Sequence, residues 1–494
     1  MITATTHHPD RVARNTTFLT IAQALQKVLS FAYFAYIAGQ IGDTNIGKYV
    51  WTLSFTGIFA LFMEFGLSRV LTREVSKAYD KAKIYLANVL GLKLILAFIT
   101  VILAVITIQA MGREPIVVLM VYIATAIIIL DTFTQTFYSV FRAFQILKYE
   151  ALGIVIYQAI IVVSGYIVIQ MGLGLRALVV AVLLGSSFNL VYSFCLIIIK
   201  GKIRPRFSFN KKIGKFLLGI AIPFALYGIF YKVSISVDSV MLGVLAGDKY
   251  VGWYSVASKI AVALTFLPGA FATSLFPAFS HYFVSSRENL KKTFQNAMFY
   301  LMAVSLPLTV GIFVLAEDIV LKVWGPVFGA SSVALKIMIS GLVFIFLNFP
   351  VGNLLNACNR QVVNTINMGI TMAFNIVLNF ILIPRYDYIG ASYSALISAF
   401  LLLALGLPWV SKIIDYNKKY IIKKFLITLV SALLMGGFVY LVKPYINILL
   451  VIPAAMVVYV IFLFILRGLK RQDITGLVRS VLRRNEDLAK EIQN

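Results

Sequence analysis

The sequence predicts an all-α polytopic membrane protein of about fourteen transmembrane helices, forming two pseudo-symmetric six-helix lobes in parallel repeat plus two additional C-terminal helices. Three observations predict it. Hydrophobic residues make up 61% of the 494 and charged residues only 13%, with mean hydropathy +0.92, so apolar surface exceeds what one soluble core can hide. Apolar runs of about 18 to 25 residues recur from end to end, each long enough to cross a hydrocarbon core of about 30 Å as a helix. The chain also echoes itself. An offset of 205 residues lays Lys27-Val28 on Lys232-Val233, Gly42-Asp43 on Gly247-Asp248, Gly47 on Gly252 and Tyr49 on Tyr254. A second echo, offset by 214, lays Leu175-Arg176-Ala177 on Ile389-Gly390-Ala391. Several matches in one order indicate an internal duplication of about 200 residues.

The polar N-terminal segment, with His7, His8, Arg11 and Arg14, precedes an apolar run that has no small-residue cleavage site and holds a lysine. That argues against a cleaved signal peptide. The expected spans are residues 17–41, 49–71, 86–111, 115–137, 149–171, 175–199, 215–245, 253–279, 293–315, 333–355, 362–383, 388–411, 424–443 and 447–466. Six of them make an N-terminal lobe, 1–199. A basic linker, 200–214, with Arg204, Arg206, Lys211 and Lys212, leads to a second lobe, 215–411. Two more spans fill 412–466, and 467–494 is a basic tail. Because six spans separate the copies, the repeats run parallel about an axis along the membrane normal, with binding sites between the lobes. An even number of spans puts both termini on one side, and most of the 44 lysines and arginines fall there. The net charge of +25 is therefore a topology signal: both termini cytoplasmic, in the cytoplasmic membrane, with no nucleic-acid partner. The tail, with Arg479, Arg483 and Arg484, reads as a short amphipathic helix drawn to anionic headgroups of the membrane lipids.

Polar residues inside the spans carry the chemistry. Thr20, Gln23, Lys27 and Ser30 form a stripe on the first span, and Lys232, Ser236 and Ser239 its partner on the seventh. Neither stripe should face lipid. Two ammonium groups would then share one cationic cavity, or each would snorkel or pair with a carboxylate in its own lobe. Arg69, Lys93 and Lys259 lie near span ends, where a long side chain can reach the headgroups; Arg69 and Lys259 are also candidates for the cavity. Glu64, Asp131 and Asp238 are the buried acids, able to balance a lysine, carry a coupling proton or help to hold Na⁺. Asn364, Asn367, Thr371, Asn375 and Asn379 form a further stripe that either bonds neighbouring helices or lines the cavity. Prolines within spans, Pro223, Pro268, Pro277, Pro307 and Pro350, fall in the second half as kinks or packing accommodations. Cys195 and Cys358 have no metal-ligand spacing, and no nucleophile, metal site, cofactor site or phosphate-cradling loop is recognisable.

The motifs Gly42-Asp-Thr-Asn-Ile-Gly-Lys-Tyr49, Glu64-Phe-Gly-Leu67 and Asn375-Ile-Val-Leu-Asn-Phe-Ile-Leu-Ile-Pro384, followed by Gly390-Ala391, resemble the multidrug/oligosaccharidyl-lipid/polysaccharide exporter superfamily, and within it the Wzx-type polysaccharide flippases. The resemblance covers essentially the whole chain. It implies a V-shaped pair of lobes with alternating access and a polyprenyl-pyrophosphate-linked oligosaccharide as substrate, with polysaccharide-assembly proteins as further partners. Lys27 and Lys232 would hold the pyrophosphate, while the Ser, Thr and Gln of the stripes, with Tyr33, Tyr36, Tyr227 and Tyr231, would meet glycan hydroxyls. The alternatives are a lipid-linked peptidoglycan-precursor flippase, a multidrug exporter and, from another class, a membrane polysaccharide polymerase or ligase. The last would need a sizeable outside loop with catalytic residues. The longest such loop, Ala316 to Ser332, offers only the adjacent Glu317 and Asp318.

Overall fold

The computed structural model describes residues 9–468; the basic tail helix expected beyond that point lies outside the described residues. The described chain is helical, with no strand. It runs α1 (Pro9–Ile41), α2 (Asp43–Glu64), α3 (Leu67–Lys77), α4 (Ala82–Ala110), α5 (Pro115–Ala143), α6 (Lys148–Gln170), α7 (Leu175–Ile199), α8 (Lys211–Leu245) and α9 (Asp248–Leu264). It continues through α10 (Phe266–Ser285), α11 (Arg287–Trp324), α12 (Ser331–Ser340), α13 (Leu342–Ala357), α14 (Gln361–Ile413), α15 (Lys418–Val442) and α16 (Ile448–Ile465).

Twelve helical stretches among the described residues are long and apolar enough to cross a membrane, against the fourteen expected. The difference falls at two places. Thr17–Lys77 and Gln361–Ile413, 61 and 53 residues long, each cover two of the expected spans. At 1.5 Å per residue, either would be about 80 Å or more if straight, far beyond a bilayer. Both are broken: the first at Gly42 (φ 80°, ψ 173°), the second at Asp387 (φ 48°, ψ −130°). The second expected span is also not one helix. α2 ends at Glu64, Phe65 and Gly66 take φ of 33° and 73°, and α3 starts at Leu67. A side chain at Gly66 would press on the Ala221 carbonyl at 3.1 Å.

The chain divides into two compact units. The first comprises the described residues of Met1–Phe266, Val320–Met338 and Val362–Ser398. Its axis is α2, whose fully buried Trp51 stacks on Phe55 and donates from Nε1 to the Val240 carbonyl at 3.1 Å. Gly243 on α8 leaves room for that indole: a Cβ there would lie 2.1 Å from it. Where α2 meets α9 the main chains touch. A Cβ on Gly47 would sit 1.8 Å from the Asp248 carbonyl oxygen, and one on Gly252 would sit 2.0 Å from that of Asp43. These are the residues that the 205-residue offset superimposes, exchanged between partners. The linker is anchored to α4: Asn210 N–H donates to Asn88 Oδ1 at 2.7 Å, and the Asn210 side chain caps α8 through Lys212 and Ile213 N–H.

The second unit comprises the described residues of Leu267–Ile319, Ile339–Gln361 and Ala399–Asn494. Its helices are fastened by Tyr459, which donates to the Ala303 carbonyl at 2.8 Å, by Asn348, which donates to Ala399 O at 3.1 Å, and by the Lys443–Asp318 ion pair at 3.1 Å. Asn417 and Asn447 cap α15 and α16. Pro277, Pro307 and Pro350 lie inside α10, α11 and α13 without ending them.

Candidate functional site

Three lysines stand out because they lie in apolar helices of the first unit and take part in none of the ion pairs among the described residues: Lys27 on α1, Lys232 on α8 and Lys259 on α9. Lys27 and Lys259 share a seam. The Lys27 ammonium lies 5.2 Å from the Phe266 ring centroid, and the Lys259 ammonium 5.0 Å from that of Phe34. Phe34 follows Lys27 by two helical turns, and Phe266 follows Lys259 by the same spacing, so the two antiparallel segments exchange cation–π contacts reciprocally. Such contacts hold an ammonium without neutralising it. Lys232 lies against α2, where its Nζ is 3.6 Å, and Ser236 Oγ 4.0 Å, from the place of a Gly57 Cβ.

Lys27 and Lys232 are exposed, as is Gln23, while Ser30 and Lys259 are half-buried and Ser236 is buried. An exposed ammonium within an apolar span is costly against lipid and is tolerated where water reaches it. Arg69, on α3, is exposed. Lys93 does not reach outward as its neighbours in sequence suggested. It is completely buried, with its Nζ 2.7 Å from Glu64 Oε2, 3.0 Å from Ser68 Oγ and 3.1 Å from the Thr132 carbonyl. Glu64 also accepts from Ser68 N–H, so its carboxylate closes the α2–α3 break and balances Lys93 together.

Asp131, half-buried on α5, lies beside Ser186 and Tyr157. Asp238 is the centre of a buried polar network. Its Oδ2 accepts from Tyr254 at 2.8 Å and its Oδ1 from Asn379 Nδ2 at 2.7 Å, and that amide also reaches Asn375 Oδ1 at 3.3 Å. The whole asparagine stripe is buried, and the Asn379 Oδ1 and Thr371 Oγ1 oxygens have no hydrogen-bond partner among the described residues. A carboxylate with amide and hydroxyl oxygens is a donor set for a proton or a hard monovalent cation. No cluster of three His, Cys, Asp or Glu suited to a metal ion occurs among the described residues. The repeat places a different set opposite: Tyr33 corresponds to Asp238 and Gly165 to Asn379. There the Tyr33 hydroxyl occupies the space where a Gly165 Cβ would be, 2.2 Å from it. The first half thus puts a phenol where the second puts a carboxylate and an amide.

Reasoning from sequence missed Phe34, Phe266 and Gly57. The shared spacing Lys27-x₆-Phe34 and Lys259-x₆-Phe266 was the available signal.

The model of the polysaccharide biosynthesis protein family matches residues 12–283, more than half the chain. The chain belongs to that family. A second family model, MatE, matches residues 223–381. Among its relatives is a probable low-salt glycan biosynthesis flippase of Haloferax volcanii, 22% identical over 95% of this chain and 99% of that protein. Another, the capsular polysaccharide biosynthesis protein of Staphylococcus aureus, is 21% identical over 79% of this chain and 97% of its own length. The fold is that of a lipid II flippase solved in an inward closed conformation, with TM-score 0.74 and 19% identity over 91% of this chain and 97% of that one. The family members' resemblance read in the sequence, to the multidrug/oligosaccharidyl-lipid/polysaccharide exporter superfamily, is borne out by both family models and by the fold.

Proposed function

We propose that this protein is a flippase that carries a polyprenyl-pyrophosphate-linked oligosaccharide across the cytoplasmic membrane by alternating access, for polysaccharide biosynthesis. The observation that carries the proposal is the set of three lysines in apolar helices, Lys27, Lys232 and Lys259, none neutralised by a carboxylate among the described residues. An anion leaving the headgroup layer loses its hydration, and unneutralised ammonium groups replace it. The same charges disfavour a cationic drug. The relatives named for glycan and capsular polysaccharide biosynthesis support the glycan, and a transporter is favoured over a polymerase or ligase on the same ground.

In this reading the two six-helix lobes, 1–199 and 215–411, move against each other, with both termini cytoplasmic as the distribution of lysine and arginine indicates. Glycan hydroxyls meet Gln23, Ser30 and Ser236, and Arg69 adds a further cation. Asp238, with its ring of amide and hydroxyl oxygens, is the group we assign to coupling by H⁺ or Na⁺, and Asp131 stands as a second acid for that role. Membrane lipids surround the protein, and polysaccharide-assembly proteins are its expected partners. A lipid-linked peptidoglycan precursor is the second reading, favoured by the fold shared with a lipid II flippase.

The test is translocation in proteoliposomes of a polyprenyl-pyrophosphate oligosaccharide, with lipid II in parallel. Wild type is expected to transport the former. Lys27→Ala and Lys259→Ala should each slow it by about 10-fold or more, the scale of one charge-assisted hydrogen bond of roughly 1.5–3 kcal/mol. Lys→Arg changes should retain most activity. Full activity in a variant with Lys27, Lys232 and Lys259 all changed to alanine would remove the lysines from the pathway, and transport of lipid II alone would install the second reading.

A further inference from the structure

At one end of the first unit, α1 and α2 meet α6 and α7 around a cavity of about 330 Å³, whose lining includes Gln40, Ile41, Asn45, Gly172, Gly174 and Leu175. The internal repeat supplies a control for what that place can hold. With the 205-residue offset Gln40 corresponds to Leu245 and Asn45 to Tyr250; with the 214-residue offset the loop from Gly172 to Leu175 corresponds to that from Tyr386 to Ile389. The frames start alike, since Gly42 (φ 80°, ψ 173°) and Gly247 (φ 114°, ψ 167°) begin α2 and α9 with similar backbone angles. In the second half the protein fills the corresponding space itself. Tyr250 stacks on Tyr388 with centroids 6.0 Å apart and planes at 12°, and Trp253 closes edge-on at 5.3 Å from Tyr388. In the first half Asn45, Lys48 and Gly174 stand where Tyr250, Trp253 and Tyr388 stand in the second; Lys48 is drawn into an ion pair with Glu114, and the space beside Asn45 and Gly174 is open. Gln40, Asn45, Gly172 and Gly174 are exposed, so the space is a cleft that a ligand can enter from outside, at a position where the other half of the fold places its own rings.

We propose that this cavity is a subsite for a neutral pyranose ring. No charged side chain lines it, and Lys48, one turn beyond Asn45, is paired with Glu114 at 2.6 Å. A lining without lysine or arginine favours a neutral ring over the pyrophosphate. The carboxamides of Gln40 and Asn45 each offer a donor and an acceptor, the complement of neighbouring ring hydroxyls. Ile41 and Leu175 supply the apolar wall that the C–H face of a sugar needs. One turn before Gln40, Tyr36 accepts from Gln170 Nε2 at 3.0 Å and packs on Tyr166 at 5.7 Å, extending the rim with two phenols. The volume is at the lower end of the range for small-molecule pockets, about 300 Å³ and up. Assigning the ring to the exported glycan rests on the flippase reading above; a glycolipid headgroup of the adjacent leaflet carries the same chemistry.

The full chain in phosphatidylcholine nanodiscs, probed by saturation-transfer NMR with the methyl glycosides of glucose, galactose, N-acetylglucosamine and glucuronic acid, tests the proposal. Gln40→Leu/Asn45→Tyr installs the residues of the second half at two exposed positions, and an unchanged melting temperature shows that it folds. The neutral glycosides should receive saturation from wild type and lose it several-fold in the variant, with the glucuronide weak in both. Equal signals from the two proteins, or none from wild type, would overturn the subsite. Transport by the variant, measured in proteoliposomes, then assigns the source: a several-fold slower rate indicates the glycan, and an unchanged rate beside lost glycoside binding indicates the headgroup. Glycoside binding by a wild type that transports no lipid-linked glycan would end the flippase reading and leave the subsite standing.

Discussion

Glu64 and Lys93 form an ion pair whose two partners differ in exposure, and the difference predicts unequal costs. The Lys93 side chain is 0% exposed and that of Glu64 34%. Breaking a buried pair by removing one partner costs about 3–5 kcal/mol, because the other charge is left unpaired away from water. Glu64→Gln leaves the ammonium in that position without a counter-charge, with only the neutral acceptors Ser68 Oγ, the Thr132 carbonyl and the new carboxamide oxygen, and should cost roughly 3–4 kcal/mol. Lys93→Met leaves a carboxylate that water can still reach and that retains the Ser68 N–H, so about 2–3 kcal/mol is expected. The double variant should be more stable than the sum of the singles implies, since neither charge is then stranded. A double-mutant cycle from denaturation in mixed micelles reads all four proteins. Additive singles, or a Lys93→Met cost larger than that of Glu64→Gln, would refute the reasoning.

Gly47→Ala and Gly252→Ala each place a methyl group within 2.0 Å of a main-chain carbonyl and should lower the melting temperature, at a cost of about 1–3 kcal/mol or more. Gly39→Ala, with nothing within 4 Å, is the control and should be neutral. Asp238→Ala strands the Tyr254 hydroxyl and the Asn379 amide and should destabilise by about 2–4 kcal/mol, whereas Asp238→Asn keeps an acceptor and recovers much of that; thermal unfolding distinguishes them. Burial pushes the Cys358 thiol up to about 11, only partly offset by Arg287. Thiolate is then scarce at neutral pH, and maleimide labelling in a Cys195→Ser background should rise about tenfold per pH unit between pH 7 and 9 without levelling.

The helical class was legible because a bilayer imposes a length on apolar runs, and the duplication because Lys27, Gly42, Asp43 and Gly47 are repeated by residues of the same type. What escaped was decided by contacts between distant segments. Glu64-Phe-Gly-Leu67 looked like the interior of a span because one glycine among apolar residues is ordinary in membrane helices; only the fold shows the Ala221 carbonyl 3.1 Å from where a Gly66 Cβ would be, which is why a glycine stands at the break. Lys93 lay as close to a span end as Lys259, and nothing local distinguished the lysine facing a carboxylate from the one facing Phe34. The cavity beside Asn45 was invisible for a related reason. Its existence depends on what Gly172 and Gly174 do not carry, and small residues near turns are common.

The crossing of α2 and α9 has the form of an isologous interface. Gly47 meets Asp248 and Gly252 meets Asp43, so each patch is bound by the counterpart of itself, as at the two-fold axis of a homodimer. In a homodimer every substitution acts twice. Within a single chain it acts once, and the halves are released to differ while the axis between them is retained. Tyr33 opposite Asp238, and Asn45 opposite Tyr250, are differences of that kind: one half keeps the charge, the other keeps the open space, and neither arrangement could arise at a strict two-fold without being imposed on both sides.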